Sequence, residues 1–142
     1  MAIIKELLDK KSSMVWSVSP DATVFDALSL LAEKNIGALL VIRDEKLVGL
    51  VSERDYARKV ILQGKTAETT RVREIMTEGV TSVDPETSVQ TAMALMSEKR
   101  FRHLPVLESS RIVGIVSIGD LVQSIITEQA FTINQLESYI AG

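Results

Sequence analysis

The sequence predicts an α+β fold made of two tandem copies of one β-α-β-β-α unit. Residues 17–61 align without a gap over residues 82–126 when the chain is shifted by 65 positions, and sixteen positions are identical. Each copy alternates short β-rich segments with helical patterns. The chain has 142 residues, of which 46% are hydrophobic and 25% charged, and this is the composition of a folded globular domain.

The first half of each copy predicts a short strand followed by a helix. Residues 15–18 and 80–83 are β-rich and run into Ser-Pro-Asp in the first copy and Asp-Pro-Glu in the second. A proline after a serine or an acid is a helix-start signal. A helix of about three turns is expected next, and it should end at Lys34 in the first copy and at Lys99 in the second.

The second half of each copy predicts a β-hairpin and a second helix. Residues 38–42 should pair with 47–52, and residues 103–107 with 112–117. The connections between these strands are short and polar, as hairpin loops are. A second helix is expected directly after each hairpin, which completes the unit.

The domain boundaries follow from the repeat. Residues 1–63 hold an N-terminal helix and the first copy, residues 64–71 form a polar linker, residues 72–128 hold the second copy and residues 129–142 form a helical tail. Residues 132–135, Thr-Ile-Asn-Gln, fit a capping box at the start of the tail helix. Two interpretations of the tail stay open, namely a helix that packs on its own module and a helix that binds a partner.

The first helix of each copy is apolar around much of its circumference. At 100° per residue, the apolar side chains between Val24 and Ala32 cover an arc of roughly 220°, whereas one packing face needs about 100°. The second copy repeats most of this arc. One side of such a helix covers the strands, and the other side needs the sister copy or another chain. We therefore expect a homodimer.

Composition and charge exclude several kinds of site. The chain has no cysteine, so it has no disulfide, thiol nucleophile or Cys-ligated metal, and its single histidine excludes sites that need two. A net charge of −3 argues against nucleic-acid binding through overall charge. The longest apolar run, residues 36–42, is far shorter than the ~20 residues of a membrane-spanning helix. We expect a cytosolic protein without a metal site or a catalytic cofactor.

A shared motif ends the third predicted strand of each copy. Residues 49–55 read Gly-Leu-Val-Ser-Glu-Arg-Asp, and residues 114–120 read Gly-Ile-Val-Ser-Ile-Gly-Asp. Ser-x-x-Asp is in the first place a helix-capping pattern. A helix start beside a hydroxyl can also bind phosphate, and an aspartate one turn in can accept hydrogen bonds from ribose hydroxyls. Because the motif occurs twice in equivalent places, we interpret it as a pair of ligand sites.

With these motifs the chain resembles a pair of CBS domains, which is also called a Bateman module. The resemblance covers about residues 4–128. It rests on the two Gly-h-h-Ser-x-x-Asp motifs, on Arg-His-Leu-Pro-Val at residues 102–106 and on Val-Arg-Glu-Ile-Met-Thr at residues 72–77. It implies one pseudo-two-fold module that binds an adenine nucleotide such as AMP, ADP, ATP, NAD(H) or S-adenosylmethionine in the cleft between the copies.

The resemblance implies one stronger nucleotide site with residues from both copies. The implied residues are Ser52, Arg54, Asp55, Met76, Gly79, Val80, Thr81, Arg102 and His103. Arg54, Arg102 and His103 are its expected phosphate donors, since arginine is well suited to bidentate phosphate contacts. Asp55 is its expected ribose acceptor, and Met76 should lie near the base.

The resemblance also implies a second, weaker site. Its implied residues are Trp16, Ser17, Gly37, Ala38, Ser117 and Asp120. Gly119 stands where the first copy has Arg54, and the pair at 37–38 stands where the second copy has Arg-His. Because the cationic side chains are missing, we expect a nucleoside or no ligand in this site.

The resemblance favours a non-catalytic, nucleotide-sensing module that signals through a homodimer to a regulated protein partner. Two alternatives remain. The first is a structural dimeric scaffold whose ligand sites have lapsed, against which Arg54, Asp55 and Arg102 argue together. The second is an enzyme that acts on a bound nucleotide, against which stand the missing cysteine, the single histidine and the absence of a P-loop.

Overall fold

The structure is a computed structural model that describes residues 2–10 and 15–141. Its elements confirm the mixed α+β fold. In chain order they are α1 (Ile4–Lys10), β1 (Ser17–Val18), α2 (Val24–Lys34), β2 (Ala38–Arg43), β3 (Lys46–Ser52), α3 (Glu53–Tyr56), a π-helix (Ala57–Ile61), α4 (Val72–Ile75), α5 (Val89–Lys99), β4 (His103–Glu108), β5 (Arg111–Ser117) and α6 (Ile118–Ala141).

The chain divides into two compact units, and each has a hydrophobic core of its own. The first-copy unit comprises residues 15–81, and the second-copy unit comprises residues 2–10 and 82–141. In the first-copy unit, β1 pairs in parallel with β2, and β2 pairs antiparallel with β3. In the second-copy unit, β4 and β5 form an antiparallel pair.

The two hairpins are confirmed, and the strands that precede the first helices are shorter than expected. The strand predicted at residues 15–18 is reduced to Ser17–Val18, and the strand predicted at 80–83 is reduced to a parallel bridge between Val83 and Val106. A strand needs a continuous ladder of hydrogen bonds to a neighbour, and the β-rich composition of a segment does not supply one.

The hairpin turns have two central residues, whereas the predicted strands leave four residues between them in each copy. Asp44 and Glu45 in the first copy have φ values of 51° and 66°, and Ser109 and Ser110 in the second copy have the same values. Positive φ at both central residues is the signature of a two-residue type I′ turn, which matches the twist of the flanking strands. The turn conformation is therefore conserved between the copies although neither copy has the usual glycine.

The first helices end at the predicted residues, and they begin slightly later than the prolines suggest. Thr23 caps α2 by accepting a hydrogen bond from the backbone of Asp26 at 3.1 Å. Ser88 caps α5 in the same way by accepting from Thr91 at 3.0 Å. The prolines lie three residues before these caps, so they mark the preceding turn rather than the helix start.

Each short helix that precedes a copy in the sequence packs in the unit of the other copy. In the first-copy unit, the N–H at the start of α4, on Val72, donates to Ala22 O at 2.9 Å. In the second-copy unit, the N–H at the start of α1, on Ile4, donates to Thr87 O, also at 2.9 Å. Ile4 and Val72 are both fully buried in these cores. The two folded units therefore have the same architecture, and each contains the short helix that precedes the other copy in the sequence.

The polar linker packs against the start of α2. The N–H groups of Val24 and Phe25 donate to Thr70 O at 2.8 Å and to Ala67 O at 3.0 Å. These N–H groups belong to the first turn of a helix, where no intrahelical acceptor exists. Residues 64–71 therefore supply acceptors that complete the end of α2, and Thr70 is buried.

The C-terminal helix is longer than predicted. α6 is continuous from Ile118 to Ala141, so the helix start predicted at residues 132–135 is wrong. The Thr132 hydroxyl instead donates to Glu128 O at 3.1 Å, as an interior helical threonine does. All residues from 129 to 141 are exposed, and Phe131 faces α1 across a cavity, so both interpretations of the tail stay predictions.

Candidate functional site

A ring of hydrogen bonds joins the first Ser-x-x-Asp motif at the start of α3. The N–H of Asp55 donates to Ser52 Oγ at 3.2 Å. The N–H of Ser52 donates to Asp55 Oδ2 at 2.9 Å, and the Ser52 hydroxyl donates to the same oxygen at 3.1 Å. The capping interpretation of this motif is confirmed. The ring uses Oδ2 of Asp55 and leaves Oδ1 outside it.

Lys59 lies against the remaining oxygen of Asp55. Its Nζ is 3.4 Å from Asp55 Oδ1 and donates to Ile75 O, at the end of α4, at 2.9 Å. Lys59 lies in the π-helix, a form that occurs often at functional sites. Lys59 was not among the site residues predicted from the sequence. Its spacing of four residues from Asp55 on a predicted helix is the signal that could have found it.

Met76 packs on the glycine that opens the motif. A Cβ on Gly49 would lie 2.7 Å from Met76 Sδ and 3.0 Å from Thr77 O. The backbones of Leu50 and Thr77 exchange two hydrogen bonds, at 3.1 and 2.8 Å. The segment after α4 therefore runs beside β3 and brings Met76 close to the strand that ends at Ser52.

The other predicted residues of this segment follow Met76 in the first-copy unit. Gly79 is exposed and has a φ of +61°, which a glycine adopts without strain. Val80 and Thr81 are half-buried. Arg54 is exposed next to Asp55, at the start of α3.

The second motif has the same capping ring and different neighbours. The N–H of Asp120 donates to Ser117 Oγ at 3.1 Å, and the N–H of Ser117 donates to Asp120 Oδ2 at 2.8 Å. Gly119 and Ser124 take the positions that Arg54 and Lys59 have in the first copy. The second motif therefore has no cation at either equivalent position.

The start of each hairpin flanks the motif of its own unit. In the second-copy unit, the N–H of Ile118 donates to Arg102 O at 2.8 Å, and His103 pairs with Ser117 across β4 and β5. The family resemblance implies that Arg102 and His103 belong to the site of the other motif, and this assignment stays a prediction.

Gly37 and Ala38 take the equivalent places in the first-copy unit. Gly37 O accepts a hydrogen bond from the N–H of Glu53 at 3.3 Å, and Ala38 pairs with Ser52 across β2 and β3. Their predicted role in the weaker site with Ser117 also stays a prediction.

Trp16 and Ser17 lie at the beginning of the first-copy unit. The Lys34 ammonium sits 4.1 Å from the centre of the Trp16 indole, which is cation–π geometry. Trp16 O accepts a hydrogen bond from Leu40 at 3.3 Å, and Ser17 is exposed. One face of the indole is thus covered within its own unit.

An open cavity of about 520 Å³ lies beside the second motif, between α1 and α6. Its walls include Leu7 and Lys10 of α1 and Asp120, Ser124 and Phe131 of α6. A smaller cavity of about 340 Å³ lies between α2 and α3 and is lined by Glu53 and Tyr56, beside the first motif. The second motif, with fewer cations, therefore borders the larger space.

Neither a cluster of metal ligands nor a long apolar helix occurs within residues 2–10 and 15–141. In this part of the chain, no group of three histidine, aspartate or glutamate side chains could hold a metal ion. Over the same residues, no helix is both long enough and apolar enough to cross a membrane.

The family profile described as "CBS domain" matches the chain twice, over residues 4–61 and 72–127. The chain belongs to the CBS domain family. The two matches coincide with the two sequence copies, so the resemblance drawn from the Ser-x-x-Asp motifs is confirmed. The chain is thus a tandem CBS pair.

Relatives and solved structures agree with this assignment. The mitochondrial CBS domain-containing protein CBSX3 of Arabidopsis thaliana is 41% identical over 135 residues, and the alignment covers 92% of this chain and 65% of that protein. The CBS pair therefore spans just under two thirds of that relative's length. A CBS-domain protein structure from Burkholderia ambifaria is 46% identical, with a TM-score of 0.87, and the match covers 90% of this chain and 96% of that one.

One similar structure contains ligands. The CBS domain pair of protein MJ0100 was solved in complex with 5′-methylthioadenosine and S-adenosyl-L-methionine. It is 25% identical to this chain, with a TM-score of 0.79, and the match covers 89% of this chain and 98% of that one. Both of those ligands carry an adenosine group.

Proposed function

We propose that this CBS pair is a non-catalytic regulatory module that binds an adenine nucleotide such as AMP, ADP, ATP or NAD(H). The observation that carries the proposal is the repeated capping ring of Ser52 with Asp55 and of Ser117 with Asp120. Each ring places a carboxylate at a helix start, and in the first ring Asp55 Oδ1 lies outside it. The adenosine ligands of MJ0100 support the ligand class.

We propose that the first motif forms the stronger site. Asp55 accepts the ribose hydroxyls, and Met76, which lies beside β3, contacts the base. Arg54, together with Arg102 and His103 as the family resemblance implies, binds the phosphate. Arginine suits this role because its guanidinium can donate two parallel hydrogen bonds to one phosphate.

The second motif is proposed to bind a nucleoside-like ligand. The cavity beside Asp120 offers about 520 Å³, which is within the size range of small-molecule sites. Gly119 and Ser124 carry no charge, and the acids of the cavity wall, Glu6, Asp120 and Glu128, outnumber the cation Lys10, so a ligand without phosphate is favoured here. This proposal for the second motif holds whether or not a ligand is bound at the first motif.

We further propose that the chain works as a homodimer that a regulated protein partner reads. On α2, Phe25 is 50% exposed, and on α6 an exposed apolar row follows spacings of four, seven, three and four residues, which keep it on one face of the helix. We call this row the α6 seam; it consists of Val122, Ile126, Ile133, Leu136 and Ile140. Such spacing is typical of helices that pair along one face. A nucleotide that binds one dimer arrangement more tightly raises the population of that arrangement, and the partner detects this change.

We propose a cytosolic location, and we propose neither a nucleic-acid partner nor a membrane partner. The net charge of −3 would repel a polyanion such as a nucleic acid. The relative CBSX3 is itself named as mitochondrial, so fractionation of the tagged chain with compartment markers is the test of location.

A thermal-shift panel tests the nucleotide proposal. AMP, ADP, ATP, NAD, NADH and S-adenosylmethionine are compared with GMP as the control. At least one adenine ligand should stabilise the fold, by about 2.7 kcal/mol at a hundredfold excess over its dissociation constant. No shift with any adenine ligand at millimolar concentration contradicts the proposal and favours the structural scaffold. Turnover of a bound nucleotide, followed by chromatography, would favour the enzyme.

A further inference from the structure

We propose that Lys59 makes the site of the first motif selective for anionic ligands, so that it binds a nucleotide in preference to the corresponding nucleoside. The inference rests on the proposed nucleotide function and deepens it. It comes from the position of the Lys59 ammonium between Asp55 and the end of α4.

The two oxygens of Asp55 have different partners. Oδ2 already accepts two hydrogen bonds from Ser52, so a ligand hydroxyl must approach Oδ1. Lys59 Nζ lies 3.4 Å from that same oxygen. Any ligand group that reaches Asp55 Oδ1 therefore also comes close to the Lys59 ammonium.

A backbone acceptor holds Lys59 in place. Its ammonium donates to Ile75 O at 2.9 Å, and Ile75 is buried in the core of the first-copy unit. A lysine ammonium has three donors. One is directed to Ile75 O and one toward Asp55, which leaves the third for an oxygen of the ligand. The fixed acceptor on Ile75 keeps this charge beside Asp55, although the lysine stem is half-exposed.

The two motifs differ in charge. Glu53, Arg54, Asp55 and Lys59 carry no net charge, whereas their counterparts Ile118, Gly119, Asp120 and Ser124 carry one net negative charge. Without Lys59, the carboxylate of Asp55 would repel a phosphate brought in beside it. With Lys59 in place that repulsion is cancelled locally. Lys59 thus lets one site combine a ribose acceptor with a phosphate group.

The experiment compares adenosine, AMP and ATP by titration calorimetry. Each chain carries Asp120→Ala, so that a nucleoside at the second motif does not enter the comparison; beyond that change the chains are unaltered, Lys59→Met and the control Lys46→Met. Methionine keeps an unbranched apolar stem and removes the charge. Lys46 begins β3, and the six residues from there to Ser52 separate it from the motif by about 20 Å.

The unaltered chain should bind AMP and ATP more tightly than adenosine. Lys59→Met should lower the ratio of AMP affinity to adenosine affinity about tenfold, and Lys46→Met should leave it unchanged. Raising the salt concentration should lower this ratio in the unaltered chain and change it less in Lys59→Met, because salt screens an exposed charge. Lys59→Arg should retain most of the selectivity.

The outcomes separate this inference from the proposed function. If Lys59→Met weakens adenosine and AMP equally, Lys59 only supports the structure, and the inference is overturned while the nucleotide function stands. If the unaltered chain binds adenosine as tightly as AMP, the inference is likewise overturned. If it binds none of the three ligands, the proposed function falls, and the inference falls with it. If Lys59→Met does not fold, Lys59→Gln, which also removes the charge, tests the same expectation.

Discussion

Arg73 Nη1 donates to Asp21 Oδ1 at 2.7 Å, and this ion pair joins α4 to the loop that precedes α2. Arg43, at the end of β2, donates to both oxygens of the same carboxylate at 3.1 Å. Asp21 thus connects three segments of the first-copy unit that are far apart in the sequence. All three side chains are about half-exposed, so water and salt weaken the pairs.

Asp21→Ala should lower the free energy of unfolding by only about 0.5–1 kcal/mol, because exposed ion pairs contribute little each. Urea unfolding at low salt measures the effect, and added salt should reduce it. Glu68→Ala, which removes an exposed acid of the linker, is the matched control and should have a smaller effect. A loss of several kcal/mol would show that Asp21 holds α4 in place more firmly than an exposed pair can.

Gly49→Ala should destabilise the fold by about 1–3 kcal/mol, because the added methyl group meets Met76 Sδ and the backbone oxygen of Thr77. Gly119→Ala is the control, since its added methyl group would be 3.6 Å from Ser117 Oγ and needs no displacement. Thermal unfolding of both variants tests the difference. Equal stability of the two would contradict the close packing of Met76 on β3.

Asp55→Ala should weaken AMP binding by about 1.5–3 kcal/mol, because the ribose hydroxyls lose a charged acceptor. Asp120→Ala is the matched control, since it removes an equivalent capping carboxylate from the other motif. Titration calorimetry on both variants distinguishes the two motifs. If Asp120→Ala abolishes AMP binding and Asp55→Ala leaves it intact, the assignment of the stronger site is wrong.

Light scattering should give about twice the chain mass of 15.6 kDa at micromolar concentration. Leu136→Glu should shift the chain toward the monomer, because it places a charge within the α6 seam. Gln135→Glu adds the same charge one residue away, outside the seam, and should keep the dimer. A monomer in the unaltered chain would contradict the homodimer, whereas an unchanged dimer in Leu136→Glu would place the interface elsewhere, such as at Phe25 on α2.

The hairpins and the first helices could be predicted because their signals are local. Caps such as Thr23 and Ser88 bond to groups three residues away, and a hairpin needs two β-rich runs separated by a short polar turn. The strand expected at residues 80–83 failed because its ladder depends on a partner strand. The helix start expected at 132–135 failed because a capping pattern does not end a helix that is already running through it.

In the candidate site as well, local contacts could be predicted from the sequence and distant contacts could not. The contact between Ser52 and Asp55 spans three residues and follows directly from the Ser-x-x-Asp motif. The position of the Lys59 ammonium depends on the carbonyl of Ile75, which lies 16 residues away. The spacing of four residues indicates the pair with Asp55, whereas the bond to a carbonyl 16 residues away has no sequence signal and is seen only in the structure.

By itself, the sequence determined the duplication, the hairpins, the two motifs and, through them, the family. Only the tertiary structure decided which leading helix packs with which copy. α1 and α4 offer equivalent buried residues, Ile4 and Val72, and the two copies offer equivalent acceptors, Ala22 O and Thr87 O. Because hydrophobic burial has no direction, the pattern of apolar residues fits either pairing. The choice depends on the path of the whole chain, which places α4 on the first copy and α1 on the second.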